Sequence, residues 1–158
     1  MGEIVLARID DRLIHGQVMT AWLQYSGGNH IVIVDEETAE DDFLKSVISM
    51  AVPIGIKLNV FNDVDGAEFL KKMSDDDKVI ILAKVPETFL KLIEAGVVLK
   101  KVIIGGMGAN QDRSKFYKNI SATENERETL KKIISSGTNV KIHIIPEQKS
   151  IDIVQLLN

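Results

Sequence analysis

Short aliphatic runs alternate with longer stretches of helical period along most of the chain. Ile4 to Ala7, Ile31 to Val34, Lys57 to Phe61, Val79 to Ala83 and Val102 to Ile104 each have the length and content of a buried strand. Between them, Val18, Ala21, Trp22 and Tyr25 recur at i, i+3, i+4 and i+7, one face of a helix. Leu44, Val47, Ile48 and Ala51 form a second such face, stopped at Pro53. Ala67, Leu70 and Met73 form a third, after the capping pair Asn62-Asp63. Pro86 stands where a first helical turn tolerates it, with Phe89, Leu92 and Ile93 facing inward and Gly96 as a C-cap. Thr123 and Glu126 have capping-box spacing ahead of Leu130, Ile133 and Ile134, and Gly137 ends that helix.

Val140, Ile142 and Ile144 alternate as a last strand, broken by Pro146, and Ser150 to Leu157 reads as a short closing helix. Two polar stretches interrupt the pattern. Asp75-Asp76-Asp77 reads as a solvated turn. Asn110 to Ser121 has no clear period and reads as a loop with one short strand near Asn119 to Ala122. The alternation predicts an α/β fold: a single domain over residues 1–158, with a doubly wound, mostly parallel sheet and helices on both faces. Such sheets place ligands at the carboxyl ends of their strands, here the Asp10 to His15 connection, Asp35, Lys84 and the Gly105 loop.

Composition narrows the function. A formal net charge of −4 supplies no basic field, so nucleic-acid binding is disfavoured. The absence of cysteine removes disulfides, thiolate catalysis and cysteine zinc sites, and the three histidines are too dispersed for a metal site. No apolar run approaches the ~18–20 residues of a membrane span. A cytoplasmic protein is expected, reaching a membrane only through a partner.

The densest chemistry lies in RIDDRLIHGQV, from Arg8 to Val18, between the first strand and the first helix. The helix start offers unpaired N–H groups and the positive end of its dipole, a place that suits a phosphate. His15 is a candidate nucleophile there, since an imidazole with an unperturbed pKa of ~6.5 is available in its neutral form near pH 7. Phosphoryl transfer needs in-line geometry and neutralised equatorial oxygens. Arg8 and Arg12 can give charge-assisted contacts to those oxygens, and the N–H groups of Gly16 and Gln17 can bind the same phosphate. Asp10 or Asp11 can accept from the other ring nitrogen and fix the tautomer. Asp10, Arg12 and His15 equally fit a structural salt-bridge cluster around a turn.

Lys84 is either a phosphate contact or an ordinary strand-end lysine, and Asp35 at the rim shares that ambiguity. His30 and His143 lie in or beside strands and read as packing or surface residues. Gly105-Gly106-Met107-Gly108 can admit a ligand close to the backbone, but it is neither a dinucleotide fingerprint nor a Walker A loop. That argues against a nucleotide-dependent kinase, and no cofactor or metal is expected. A phosphoryl carrier, a module that binds a phosphorylated metabolite, and an enzyme using His15 as acid or base all remain open.

RIDDRLIHGQV followed by Trp22 resembles the active-site region of the IIB components of the mannose/fructose/sorbose class of the bacterial phosphoenolpyruvate-dependent sugar phosphotransferase system. The similarity continues through Asp35 and Ala39, Pro53, Lys84 and Pro86, Gly105-Gly106-Met107 and Pro146. The resemblance implies a cytoplasmic phosphohistidine carrier, a protein-phosphohistidine–sugar phosphotransferase held at the membrane through its partners. It implies that His15 takes a phosphoryl group on Nδ1 from a IIA histidine and passes it to a sugar imported by membrane IIC and IID subunits. Arg12, Arg8 and Asp10 carry over as supporting groups, and Lys84 and Asp35 by position. Homodimers occur in the class, and some members are fused to IIA. A length of 158 residues leaves no room for a IIA domain, so the donor is expected on a separate chain.

Overall fold

The computed structural model describes residues 2–157. The amino-terminal half runs β1 (Glu3–Asp10), α1 (Gly16–Ser26), β2 (His30–Val34), α2 (Glu36–Ala39), α3 (Asp42–Met50), β3 (Lys57–Phe61) and α4 (Asp63–Lys71). The rest runs β4 (Lys78–Ala83), α5 (Pro86–Glu94), β5 (Lys101–Gly106), β6 (Ser114–Tyr117), β7 (Ile120–Ala122), α6 (Glu124–Ser135), β8 (Asn139–Ile142) and β9 (Ile151–Asp152). A short 3-10 helix at Val154–Leu157 follows.

Seven strands form one sheet in the order β3-β2-β4-β1-β5-β8-β9, parallel except for the antiparallel edge strand β9. Successive strand residues point to opposite faces, and the core divides accordingly. On one face Ala7, Ile9, Val79, Ile81, Val102 and Ile104 pack with Phe89 and Leu92 of α5 and Leu130 and Ile133 of α6. On the other, Leu6, Ile31, Ile33, Ile80, Leu82 and Ile103 pack with Met19, Trp22 and Leu23 of α1. This is the doubly wound architecture that the alternating pattern predicts.

Five details differ from the sequence reading. Strand β1 runs past the apolar segment to Asp10, because Arg8 and Ile9 pair with β4 on one side and β5 on the other. The buried face of α1 is Met19, Trp22 and Leu23, and Tyr25 is 66% exposed. Helix α3 buries no residue completely, and Val47 and Ala51 face outward. Residues 114–122 form an antiparallel hairpin, turned at Lys118 with φ 48°. Strand β8 stops at Ile142, so Ile144 lies in the following loop, and the C-terminal segment contributes β9 before its 3-10 helix.

Asp77 also departs from a solvated turn. It is buried, accepts from Ser74 N–H and Oγ, and lies 3.1 Å from His30 Nδ1. Those bonds, the one with His30 first, hold its carboxyl below the usual range.

Candidate functional site

Strand β1 delivers the central charges. Arg8 and Asp10 are two residues apart and therefore share a face of the sheet; neither side chain has exposed surface. Arg8 Nη1 donates to Asp10 Oδ2 at 2.7 Å. Arg12, just beyond the strand, donates from Nε to Oδ1 at 2.9 Å, from Nη2 to Oδ2 at 3.1 Å, and from its backbone N–H to Oδ1 at 3.0 Å. Burial alone would push the Asp10 carboxyl up. The hydrogen bonds from Arg12 and the charges of Arg8 and Arg12 together outweigh that and hold it below the usual carboxylate range.

His15 completes the cluster. Its Nε2 lies 3.1 Å from Asp10 Oδ2, the side chain is 24% exposed, and Nδ1 has no partner among the described residues. With Asp10 ionised, this contact favours the tautomer with Nε2–H donating and the Nδ1 lone pair directed elsewhere. The other two histidines differ. His30 is buried with Nδ1 beside Asp77 and Nε2 at 2.7 Å from Asn59 Oδ1. His143 is also buried, edge-on to Trp22 at 4.8 Å.

The connection holding His15 is tightly specified. Leu13 adopts φ 59°, a left-handed conformation that costs a bulky residue ~1–2 kcal/mol. Its N–H bonds to Asp10 O, and its side chain is anchored in the α1-side core. Gly16 adopts φ 50° without that penalty. His15 is the N-cap of α1 but makes no side-chain cap bond. Helices α2, α3, α4 and α6 are each capped by a side chain, from Asp35, Asp41, Asn62 and Thr123. The N–H groups at Gly16 and Gln17 therefore begin a helix whose dipole no acidic side chain in its first turn offsets.

Three of the expected contacts meet other groups of the protein. Arg8, read as a phosphate contact, lies wholly beneath the site. It binds Asp10, donates from Nη2 to Ile144 O at 2.9 Å, and stands 5.8 Å from the centre of the Trp22 ring. Gly105 and Gly106 make room for the arginines: a Cβ at Gly105 would strike the Arg8 guanidinium, and one at Gly106 would meet Asp10 Oδ1 at 2.8 Å and Arg12 Nη2 at 2.9 Å. Lys84 and Asp35 pair with each other at 3.2 Å, and Asp35 also accepts from the Thr38 hydroxyl. They form a separate patch on the same edge. Arg12, with its side chain 54% exposed, is the arginine of this cluster that reaches solvent.

Arg113 has no counterpart in the sequence reading. It donates to Glu126 from Nε and Nη2, each at 2.9 Å, and from Nη1 to Asp11 Oδ2 at 2.9 Å and Gly108 O at 3.0 Å. Asp11, the alternative partner for His15, is thus held by Arg113 and by the Gly108 N–H at 2.7 Å. The hydrogen bonds to Glu126 above all raise the Arg113 pKa. Replacing Arg113 with Ala leaves the buried Glu126 without its cation, and a loss of about 3 kcal/mol is expected. Thermal unfolding should show it as a drop of about 6–12 °C, and an unchanged midpoint would refute it.

The family described as "PTS system sorbose subfamily IIB component" matches residues 4–158. The chain is 32% identical over 158 residues to the PTS system fructose-specific EIIB component of Bacillus subtilis, covering 99% of this chain and 97% of that protein. It superposes on the IIBSor domain of the sorbose permease from Klebsiella pneumoniae with a TM-score of 0.93 and 26% identity, covering 100% of this chain and 97% of that one. It is also 30% identical over 162 residues to the mannose-specific EIIAB component of Escherichia coli, spanning 98% of this chain and 49% of that longer protein.

The chain belongs to the IIB components of sugar phosphotransferase systems, in the sorbose subfamily. It is thus a phosphotransferase component, of a family that transfers phosphoryl groups to sugars alongside IIA and membrane IIC and IID partners. Among the described residues no helix is long and apolar enough to cross a membrane.

Proposed function

We propose that His15 is the phosphoryl acceptor and that the chain is a cytoplasmic phosphohistidine carrier between a IIA protein and an incoming sugar. The observation that carries this reading is the His15–Asp10 contact, which occupies Nε2 and leaves Nδ1 free on a partly exposed imidazole. The Nδ1 lone pair attacks the phosphorus of the IIA phosphohistidine. As the new N–P bond forms, the old one breaks and its electron pair returns to the donor nitrogen. Arg12 and the N–H groups of Gly16 and Gln17 stabilise the oxygens in transit. In the second step a sugar hydroxyl oxygen attacks the same phosphorus, the His15–phosphorus bond breaks, and the hydroxyl proton passes to a base on the membrane side.

The donor is a IIA domain on another chain or in a longer form of this one, as the EIIAB relative combines the two names. IIC and IID supply the membrane anchor and the sugar, and a homodimer fits this carrier role as well as a monomer does. The test is transfer of label from phosphoenolpyruvate through the two general carrier proteins and a mannose-class IIA. Label bound to the chain, lost in acid and kept in alkali, is expected. No bound label with any of several IIA proteins would instead favour a module that binds a phosphorylated metabolite.

A further inference from the structure

We infer that Arg8 is a positioning residue for phosphoryl transfer: a buried guanidinium that aims the Asp10 carboxylate at His15 without touching the phosphate. The inference rests on the proposed role of His15. Arg8 has no exposed side-chain surface, and every bond it makes points inward. Nη1 holds Asp10 Oδ2, the same oxygen that lies 3.1 Å from His15 Nε2. Nη2 holds Ile144 O, which also accepts from Trp22 Nε1 at 3.2 Å. The guanidinium thus joins three separate parts of the fold behind the imidazole: the end of β1, α1 through Trp22, and the loop after β8.

Two observations show that the fold is shaped around this side chain. Gly105 on the neighbouring strand β5 has no Cβ where one would strike the guanidinium. Arg8 Nε is buried with no hydrogen-bond partner among the described residues, a desolvation cost that the fold bears to keep the group here. A cation placed merely to stabilise a core is commonly replaceable by apolar packing. Here its charge faces the one carboxylate that orients His15. Arg12 holds Asp10 from the solvent side and Arg8 from the core side, so the carboxylate cannot rotate away as charge on the imidazole changes.

A residue that acts through Asp10 alters the chemical step and leaves donor docking intact, so the two steady-state constants separate. Arg8→Gln is expected to lower kcat for phosphoryl acceptance by about 10- to 100-fold, with KM for the phosphorylated IIA within about twofold of wild type. Arg8→Lys keeps the charge but cannot reach Asp10 and Ile144 O together, and it should recover part of the kcat. Gly105→Ala, which removes no polar group, should reproduce the same kcat defect by displacing the guanidinium.

A wild-type measurement covers the case in which the Arg8 variants do not fold. In arginine-labelled protein the Arg8 Nε–H should exchange slowly with water both before and after phosphorylation. Loss of that protection on phosphorylation would mean that Arg8 swings out to the phosphate, and would overturn the inference. An unchanged kcat in folded Arg8→Gln, or a raised KM with kcat preserved, would overturn it too. Wild-type protein that accepts no phosphate would overturn the function itself, a separate outcome.

Discussion

Replacing His15 with Ala should abolish phosphoryl acceptance while moving the thermal midpoint by no more than about 2 °C. Both halves follow from the site geometry. Of the three histidines, His30 has both ring nitrogens at hydrogen-bonding distance from side chains, and His143 is buried against Trp22. Neither can replace His15 as acceptor. The fold survives because His15 makes no cap bond to α1 and is not part of either apolar cluster. Asp10 keeps Arg8 and Arg12 when the imidazole is gone. Residual acid-labile phosphate on the Ala variant would place the acceptor elsewhere. A large loss of stability would make His15 structural.

Asp10→Asn should fail in both respects. The neutral amide leaves Arg8 in the core without its counter-charge, which costs about 3–5 kcal/mol, or about 6–20 °C in thermal midpoint. Transfer should fall on the order of 100-fold, because a neutral amide beside two guanidinium donors is a weaker acceptor than the carboxylate and no longer fixes the proton on His15 Nε2.

The same substitution should change the response to acid. Asp10 is held below its usual range in the folded protein. Its contribution is therefore complete above the unfolded-chain value of ~3.9 and is lost as pH falls through the lower folded value. The wild type should lose its stability advantage over Asp10→Asn from about pH 4 downward, so the two unfolding midpoints converge in acid. A constant difference across that range would show that Asp10 is not the group being protonated.

The sheet was legible because aliphatic runs separated by helical periods leave few alternatives to a parallel α/β fold. The cluster of His15, Asp10 and Arg12 was legible because all three fall within one connection. What the sequence concealed depends on depth and on distant pairing. Arg8 looks like a turn residue until β4 and β5 are seen to pair through it, which carries it beneath the site. Gly105 and Gly106 look like a ligand loop, but the space they leave is filled by the arginines. Lys84 and Asp35 reach the expected edge and neutralise each other there. Arg113 is more than a hundred positions from Asp11 in the chain, and the capping-box spacing of Glu126 gave no sign that its carboxylate also grips an arginine. Asp77 sits in a triad of acids, and its burial appears only when β2 brings His30 beside it.

The most direct test of the central claim is to phosphorylate protein labelled with 15N-histidine and read which nitrogen carries phosphorus. The expected spectrum shows a single phosphohistidine, at His15, with phosphorus coupled to Nδ1 and Nε2 still protonated toward Asp10. Phosphorus on His15 Nε2, or on His30 or His143, would contradict the role given to the Asp10 contact and to the free Nδ1.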